Sequence, residues 1–402
     1  MTPSTRLDSP AALQELRAGI VSERDPGKPC ITLCAGSACQ ATGSKEVAAS
    51  LEEEIDRQGV RGAVTVRRTG CHGFCERGPL VVVHPQEVCY LRIKPGDVPE
   101  LVSQSKNGGH VVERLLYTDP GTSAKVQRES EIPFYQHQQR FVLGSNGSID
   151  PKSIEDYLAI GGYAALAKSL FEMTPDAVLQ EVKKSKLRGR GGGGFPTGRK
   201  WEGTRNAPGD RRYVIVNADE GDPGAYMDRS LLEGNPHAVL EGLIIGAFAV
   251  GAHEGFVYVR QEYPLAVENV GLAIAAAEEL GLLGENILGS GFSFRVTVHQ
   301  GAGAFVCGES TALMTALEGR VGEPRPKYVR SNVKGLWNMP TVLNNVETWA
   351  NVPLIIERGA DWYTQIGTEG SKGTKIFSLV GKITNTGLVE VPMGMTRRDI
   401  IF

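Results

Sequence analysis

The sequence lacks the charge excess and the long apolar run that two large classes of protein need. Its 402 residues carry a formal net charge of −3, which provides neither a basic surface for nucleic acid nor a polybasic membrane anchor. The most apolar stretch, residues 242–252, is too short to span a bilayer and indicates a buried helix. The N-terminus lacks the charged and then apolar pattern of a secretory signal. We therefore expect a cytoplasmic chain that binds no nucleic acid and does not insert into a membrane.

Cysteine is scarce, and six of the seven cysteines precede residue 110. Because cytoplasmic thiols stay reduced, paired cysteines in such a chain indicate a metal or redox site rather than disulfides. Cys34 with Cys39, and Cys71 with Cys75, form two pairs, each beside a predicted strand end. Neither pair has the two-residue spacing common in structural zinc sites. Four converging thiolates suit either zinc or an iron–sulfur cluster.

Glycine, by contrast, is abundant, and it is concentrated in LRGRGGGGFPTGRKW, residues 187–201. Glycine lets the backbone approach another body closely, whereas a flexible linker would combine glycine with serine. The run matches G-x-G-x-x-G, but a predicted helix precedes it where a dinucleotide site requires a strand. Arg199 stands where a phosphate-binding P-loop has lysine, which argues against a P-loop phosphotransferase. The loop therefore indicates contact with a flat, phosphate-bearing ligand.

Three further segments have the same character: VIVNADEGDPGAYMDR (214–229), HQGAGAFVCGESTALMTALEG (299–319) and TVLNNVETWANVP (341–353). The first places carboxylates after a strand, where open α/β sheets bind their ligands. The alternative for this segment is a solvated acidic turn. The second is a strand, a glycine-rich loop and a helix whose first N–H groups could hold an anion. The third presents two asparagine amides to a polar ligand.

Strands and helices alternate along the chain, which favours an α/β fold with a mainly parallel sheet. Strands are predicted at 213–217, 255–260 and 294–300, and helices near 236–252, 264–280 and 309–318. The last thirty residues suggest two or three strands and the start of a helix.

The four loop segments together resemble the NADH- and FMN-binding subunit of NADH:quinone oxidoreductase (respiratory complex I) and its relatives. The stretches CAGSACQATGS and TGCHGFCERGPLVVV resemble the thioredoxin-like [2Fe-2S] ferredoxin domain, which hydrogenase-type and electron-bifurcating diaphorases carry fused at the N-terminus. Ser310 and the segment PRPKYVRSNVKGLW depart from the respiratory branch toward that diaphorase branch.

The resemblance implies four regions. They are a thioredoxin-like ferredoxin domain (1–110), a connecting segment (111–149), a Rossmann-like FMN/NADH domain (150–359) and the truncated start of a β-grasp-like (SLBB) domain (360–402). In the family the chain continues to a helical [4Fe-4S] domain, so a [4Fe-4S] cluster is expected in the missing C-terminal part.

Carried over by motif, the resemblance also implies the site residues. The resemblance favours a [2Fe-2S] cluster over zinc, and the cluster ligands would be Cys34, Cys39, Cys71 and Cys75. The FMN contacts would be Gly189, Gly191, Lys200, Asn217, Asp219, Glu220, Gly308, Glu309, Asn344 and Asn345. The NADH side would be Gly192, Phe195, Asp222 and Lys327.

The implied function is an NADH dehydrogenase module that exchanges a hydride between NAD(H) and FMN and passes single electrons to iron–sulfur clusters. Its partners would be a small [2Fe-2S] subunit and a catalytic acceptor subunit of a multisubunit redox complex of the hydrogenase, formate dehydrogenase, quinone or bifurcating type. No proton-transferring catalytic residue is required; Glu220 and Glu309 would position the flavin. The alternative is an iron–sulfur adaptor without flavin activity.

Overall fold

The computed structural model describes residues 6–107, 110–326, 328 and 330–401. The N-terminal sheet has four strands in the order β2-β1-β3-β4, with β1 parallel to β2 and antiparallel to β3. Its elements are α1 (Pro10–Ser22), β1 (Cys30–Cys34), α2 (Ser37–Ala41), α3 (Ser44–Arg57), β2 (Thr65–Thr69), β3 (Val81–His84), β4 (Val88–Tyr90) and α4 (Val98–Asn107). Buried aliphatic side chains of β1, β3 and α3, among them Leu33, Val83 and Leu51, form the core of this domain.

The first helix belongs to the core of the next domain rather than to this sheet. Leu13 of α1 packs in the large hydrophobic core of that domain, and Arg17 donates hydrogen bonds to the carbonyl oxygens of Leu158, Gly161 and Gly162. The chain therefore starts with a helix that packs on the second domain, and the N-terminal domain begins only at β1.

The connecting segment holds a two-stranded ladder of β5 (Tyr117–Thr118) and β6 (Lys125–Val126), followed by α5 (Pro133–Gln136). The second domain then contains a four-stranded, entirely parallel sheet in the order β10-β7-β8-β9. The predicted parallel sheet is thus confirmed. Its strands are β7 (Tyr213–Ala218), β8 (Glu254–Arg260), β9 (Arg295–Gly301) and β10 (Thr341–Asn345).

Helices surround this sheet, and local sequence explains where several begin and end. The helices are α6 (Ile154–Ala159), α7 (Ala164–Phe171), α8 (Pro175–Lys184), α9 (Thr197–Arg205), α10 (Met227–Gly234), α11 (Pro236–Val250), α12 (Pro264–Glu279), α13 (Ser310–Leu317), α14 (Ser331–Lys334), α15 (Val346–Arg358) and α16 (Ala360–Thr364). Thr174 accepts a hydrogen bond from the N–H of Ala177 and so caps α8, with Pro175 in its first turn. The apolar run that the sequence marks as a buried helix is α11, which ends at Gly251 with a positive φ of 76°.

After α16 the chain forms an antiparallel hairpin of β11 (Thr374–Leu379) and β12 (Gly387–Pro392), followed by α17 (Arg397–Ile401). The hairpin reaches back to the N-terminal domain, where the N–H of Leu388 donates to the carbonyl oxygen of Gly73 at 2.7 Å. The N–H of Glu76 donates in turn to the carbonyl oxygen of Thr386 at 2.9 Å. Two separate parts of the chain therefore enclose the second cysteine pair. No helix within the described residues has the length and apolar character needed to cross a bilayer.

Candidate cofactor site

A cleft of about 700 Å³ lies at the carboxyl ends of β7 and β10. Its lining includes parts of the glycine loop (residues 187–196), the acidic loop (residues 219–228), the loop before α13 (residues 305–309) and β11 of the hairpin. This is the edge where open parallel sheets bind ligands, and the volume is in the range of a cofactor pocket.

The glycine loop presents bare backbone to the cleft. A Cβ atom on Gly191 would lie 3.0 Å from the Cβ of Asn345, and Gly192 has a positive φ of 100°. The loop is closed at its base by a hydrogen bond from the N–H of Gly189 to the carbonyl oxygen of Phe195 at 2.9 Å. Side chains at 191 and 192 would thus collide with Asn345 or strain the backbone.

The acidic loop is held by its own hydrogen bonds. The side-chain amide of Asn217, at the end of β7, donates to the carbonyl oxygen of Gly308 at 3.0 Å, and its oxygen accepts from the N–H of Asp219. The Glu220 carboxylate accepts from the N–H groups of Asp228 at 3.1 Å and Arg229 at 3.2 Å, in the first turn of α10. Glu220 therefore fixes α10 to the cleft wall, and burial raises its pKa.

Two aspartates in this loop have buried oxygens that remain available as acceptors. Within the described residues, Oδ1 of Asp219 and Oδ1 of Asp228 have no hydrogen-bond partner, although the Arg260 guanidinium lies 3.8 Å from the former. The other oxygen of Asp228 accepts from the amide of Asn345 at 2.5 Å. Burial is the main cause that raises the pKa of Asp228, and the neighbouring charge of Glu220 adds to it. Because buried acceptors without partners are costly, both atoms are suited to hydroxyl or N–H groups of a ligand.

The four paired cysteines lie together in the structure. The Cys34 thiol contacts those of Cys39 and Cys71, and Sγ of Cys71 lies 3.7 Å from Sγ of Cys75. The N–H of Gly73 points at Cys71 Sγ from 3.3 Å. In the described part of the chain, no three His, Cys, Asp or Glu side chains close around one point as a single metal ion requires. Four thiolates that lie together in this way fit a binuclear iron–sulfur cluster, in which each iron takes two thiolates, better than one zinc ion.

Comparison with known families agrees with both sites. Residues 182–354 match the model of the Nuo51 FMN-binding domain, and residues 20–106 match that of the thioredoxin-like [2Fe-2S] ferredoxin. The chain thus has one segment similar to a thioredoxin-like [2Fe-2S] ferredoxin and another similar to a Nuo51 FMN-binding domain. The family resemblance, the fold class and the expected FMN and [2Fe-2S] domains are thereby confirmed.

Several relatives share the FMN-binding domain. The chain is 55% identical over 265 residues to the NADP-reducing hydrogenase subunit HndC of Solidesulfovibrio fructosivorans, a match that covers 66% of this chain and 54% of that protein. It is 48% identical over 252 residues to an NADH-quinone oxidoreductase subunit of Rhizobium meliloti, covering 63% and 60%. The structure also aligns with an NAD+-reducing [NiFe]-hydrogenase at a TM-score of 0.56 and 26% identity, over 95% of this chain and 64% of that one. The chain thus spans little more than half the length of these curated relatives.

Most of the FMN-binding domain's predicted site residues line the cleft. They are Gly191, Gly192, Asn217, Asp219, Glu220, Asp222, Gly308, Glu309 and Asn345. Glu309 accepts from the N–H groups of Thr311 at 2.8 Å and Ala312 at 2.9 Å. Because its own carboxylate takes these N–H groups, the start of α13 does not offer them to a phosphate.

The remaining predicted residues lie elsewhere. Gly189 is at the base of the glycine loop, Phe195 is 52% exposed outside the cleft lining, and Lys327 lies outside the described residues. Lys200 is enclosed behind the loop, where its Nζ donates to the carbonyl oxygen of Leu343 at 2.7 Å and burial lowers its pKa to about 8. Asn344 is 2% exposed, and neither atom of its side-chain amide finds a hydrogen-bond partner among the described residues.

Several residues line the cleft without having been predicted, among them Asp228, Arg190, Phe305 and Lys375. Arg190 is buried and donates to the Tyr363 hydroxyl at 3.0 Å, and Lys375 contacts Glu347. Phe305, 67% exposed, stands at the mouth of the cleft. Arg190 and Phe305 lie inside motifs that the sequence already marks. Lys375 comes from the hairpin and has no local signal in the sequence.

The residues present fit FMN. Bare backbone at Gly191 and Gly192 accommodates a flat ring, and the buried oxygens of Asp219 and Asp228 suit the hydroxyl and N–H groups that a flavin carries. Arg190 and Lys375 also line the cleft, and both lie beside the buried carboxylate of Glu347.

Proposed function

We propose that this chain is the NADH dehydrogenase (diaphorase) module of a multisubunit redox complex. In this proposal NAD(H) exchanges a hydride with FMN in the cleft, and single electrons pass to iron–sulfur clusters. The observation that carries the proposal is the cleft itself, where bare glycine backbone faces buried carboxylate oxygens that lack hydrogen-bond partners within the described chain. When bound, FMN supplies the conversion between two-electron and one-electron transfer.

The chain's own residues would bind and orient. Gly191 and Gly192 let the ring system lie against the loop, while Asp219 and Asp228 accept hydrogen bonds from it. Glu220 acts indirectly, because it holds the first turn of α10 and thereby the aspartate at its start. Such positioning fixes the distance and orientation of two reacting rings, which can account for a large part of a rate enhancement.

In this proposal the nicotinamide lies at the mouth of the cleft, where Phe305 is 67% exposed. We assign it to Gly192, Asp222 and the ring of Phe305, which lies so close to Gly221 that a Cβ there would be 2.8 Å from it. An exposed aromatic face at the mouth offers a stacking surface for a second flat ring. Phe195 and Lys327 remain proposals carried over from the family motif.

The cluster ligands in this proposal are Cys34, Cys39, Cys71 and Cys75. We propose a cytoplasmic complex of the hydrogenase, formate dehydrogenase, quinone or electron-bifurcating type as the setting, with a small [2Fe-2S] subunit and a catalytic acceptor subunit as partners. The relatives support this, since one is a subunit of an NADP-reducing hydrogenase and another a subunit of an NADH-quinone oxidoreductase.

The test compares two glycines of the same loop. Gly191→Val places a branched side chain against Asn345 in the cleft lining, so we expect the purified chain to lose FMN and NADH-dependent dye reduction. Gly193→Val is the matched control, because no described atom lies within 4 Å of a Cβ there and its φ is not left-handed.

Flavin, iron and acid-labile sulfide are quantified in both variants and in the parent chain. Stoichiometric FMN in Gly191→Val would contradict the assigned loop. A parent chain with iron and sulfide, but without FMN and without dye reduction, would instead establish the iron–sulfur adaptor.

A further inference from the structure

Helix α10 connects the FMN cleft to the cysteine cluster. Its first residues, Met227 and Asp228, line the cleft. Its last residue, Gly234, lies against Gly70 of the ferredoxin domain, since a Cβ on Gly70 would be 2.2 Å from the Cα of Gly234. The preceding residue, Glu233, accepts the N–H of Ser37 at 2.9 Å, next to the first cysteine pair. The helix therefore begins at the cleft and ends against the loops that carry the cysteines.

Tyr226, immediately before α10, makes the most direct connection. Its hydroxyl donates to Sγ of Cys75 at 3.7 Å, and the residue is only 8% exposed. Cys75 belongs to the ferredoxin domain, whereas Tyr226 belongs to the acidic loop of the FMN-binding domain. The residues on both sides of Tyr226, Ala225 and Met227, line the cleft.

Tyr226 is held in place both at its backbone and at its ring. The N–H of Tyr226 donates to the hydroxyl of Ser378 in β11 at 3.1 Å. The guanidinium carbon of Arg229 lies 5.4 Å from the ring centroid, and Arg229 is itself 3.7 Å from Glu233. A cation over the ring withdraws electron density from the phenol and makes its O–H a stronger hydrogen-bond donor.

We propose that Tyr226 is a positioning residue that raises the reduction potential of the [2Fe-2S] cluster. Hydrogen bonds to the sulfur ligands help to set the potential of such a cluster. The reduced cluster carries one more negative charge than the oxidised one, so a donated hydrogen bond stabilises it more. The inference rests on the proposed ligand set, because it requires Cys75 to be bound to iron.

The origin of this donor distinguishes it from the N–H of Gly73. That group, which points at Cys71 Sγ, is part of the ferredoxin domain's own loop. Tyr226 comes from the FMN-binding domain, so its hydrogen bond exists only while the two domains are docked. The cluster potential would consequently depend on the position of the loop that also forms the cleft wall.

The test is a redox titration of the full chain, in which the reduced [2Fe-2S] cluster is followed by its paramagnetic signal. In Tyr226→Phe we expect the midpoint potential to fall, so that the ratio of reduced to oxidised cluster at a fixed potential drops about three- to tenfold. A tenfold change corresponds to about 59 mV for one electron. Tyr117→Phe is the control, since Tyr117 packs in the same hydrophobic cluster as Cys34 and Cys39 but donates no hydrogen bond to a sulfur atom of the described residues.

A second variant guards against loss of the cluster in Tyr226→Phe. Site-specific replacement of Tyr226 by 3-fluorotyrosine keeps the ring and the hydroxyl but strengthens the donor, so the potential should rise. An unchanged potential in the fluorinated protein, or in a cluster-containing Tyr226→Phe, would overturn the inference while leaving the proposed function intact. Absence of any [2Fe-2S] signal in the parent chain would instead overturn the ligand set.

Discussion

Replacing Gly70 with alanine would force two backbones apart at the interface between the domains. The new Cβ would lie 2.2 Å from the Cα of Gly234 and 3.2 Å from the carbonyl oxygen of Asn146. Non-bonded carbon atoms sit about 3.5–4.0 Å apart, so the chains must separate by more than an ångström. Because the facing atom belongs to the backbone, no side-chain rotation can relieve the clash.

Overpacking of this kind costs about 1–3 kcal/mol, and we expect Gly70→Ala to lie at the upper end of that range. The loss should appear in urea unfolding of the full chain, together with an altered visible spectrum of the cluster, since Cys71 is the next residue. Gly271→Ala is the control: it is exposed within α12, and no described atom lies within 4 Å of a Cβ there. In a helix interior that change should stabilise the protein by about 0.5–1 kcal/mol. Equal stability of Gly70→Ala and the parent chain, with an unaltered spectrum, would refute the close approach of the two domains.

Two further predictions address the cysteines and the buried lysine. Cys71→Ser should abolish the visible and paramagnetic signals of the [2Fe-2S] cluster while FMN stays bound. Cys30→Ser, which lies outside the group of four, should keep both the cluster signals and FMN. A surviving cluster signal in Cys71→Ser would mean that the ligands are misassigned. Burial lowers the pKa of Lys200 to about 8, below its unfolded value of about 10.4. Between these two pH values the unfolded chain binds more protons than the folded chain, so the free energy of unfolding should rise with pH across that window. The penalty below pH 8 is at most about 3 kcal/mol, since the side chain keeps some solvent contact. Lys200→Met should therefore stabilise the flavin-free chain at pH 7. In urea unfolding measured at pH 7 and pH 10, the variant should no longer show the rise in stability with pH. A rise that persists in the variant would show that another group causes it.

Local sequence was sufficient for features that depend on neighbouring residues. The alternation of strands and helices indicated the parallel sheet. The glycine and acidic segments indicated the cleft, because each lies next to a strand or helix that ends or begins at the same edge of the sheet. Proximity across the fold was not accessible in this way. Lys375 reaches the cleft from a hairpin far along the chain, and the contact between Tyr226 and Cys75 joins residues 151 positions apart.

The choice between two aromatic residues illustrates the same limit. Phe195 stands in the most conspicuous motif, yet it is outside the cleft lining, because the loop closes on itself through the hydrogen bond between Gly189 and Phe195. Phe305 stands in a predicted ligand-binding motif, but the sequence does not indicate that its ring faces the cleft. Which side of a loop faces a cleft depends on turns and hydrogen bonds that residue spacing does not specify.

The buried amide of Asn344 affects the stability of the folded chain. Both of its polar atoms are enclosed without a hydrogen-bond partner in the described part of the chain, at a cost of about 1–3 kcal/mol for each such group. Any ligand that binds the folded chain alone shifts the balance away from opened forms, and proteases cut opened forms. On the proposed function FMN is such a ligand, so proteases should cut the flavin-loaded chain more slowly than the flavin-free chain.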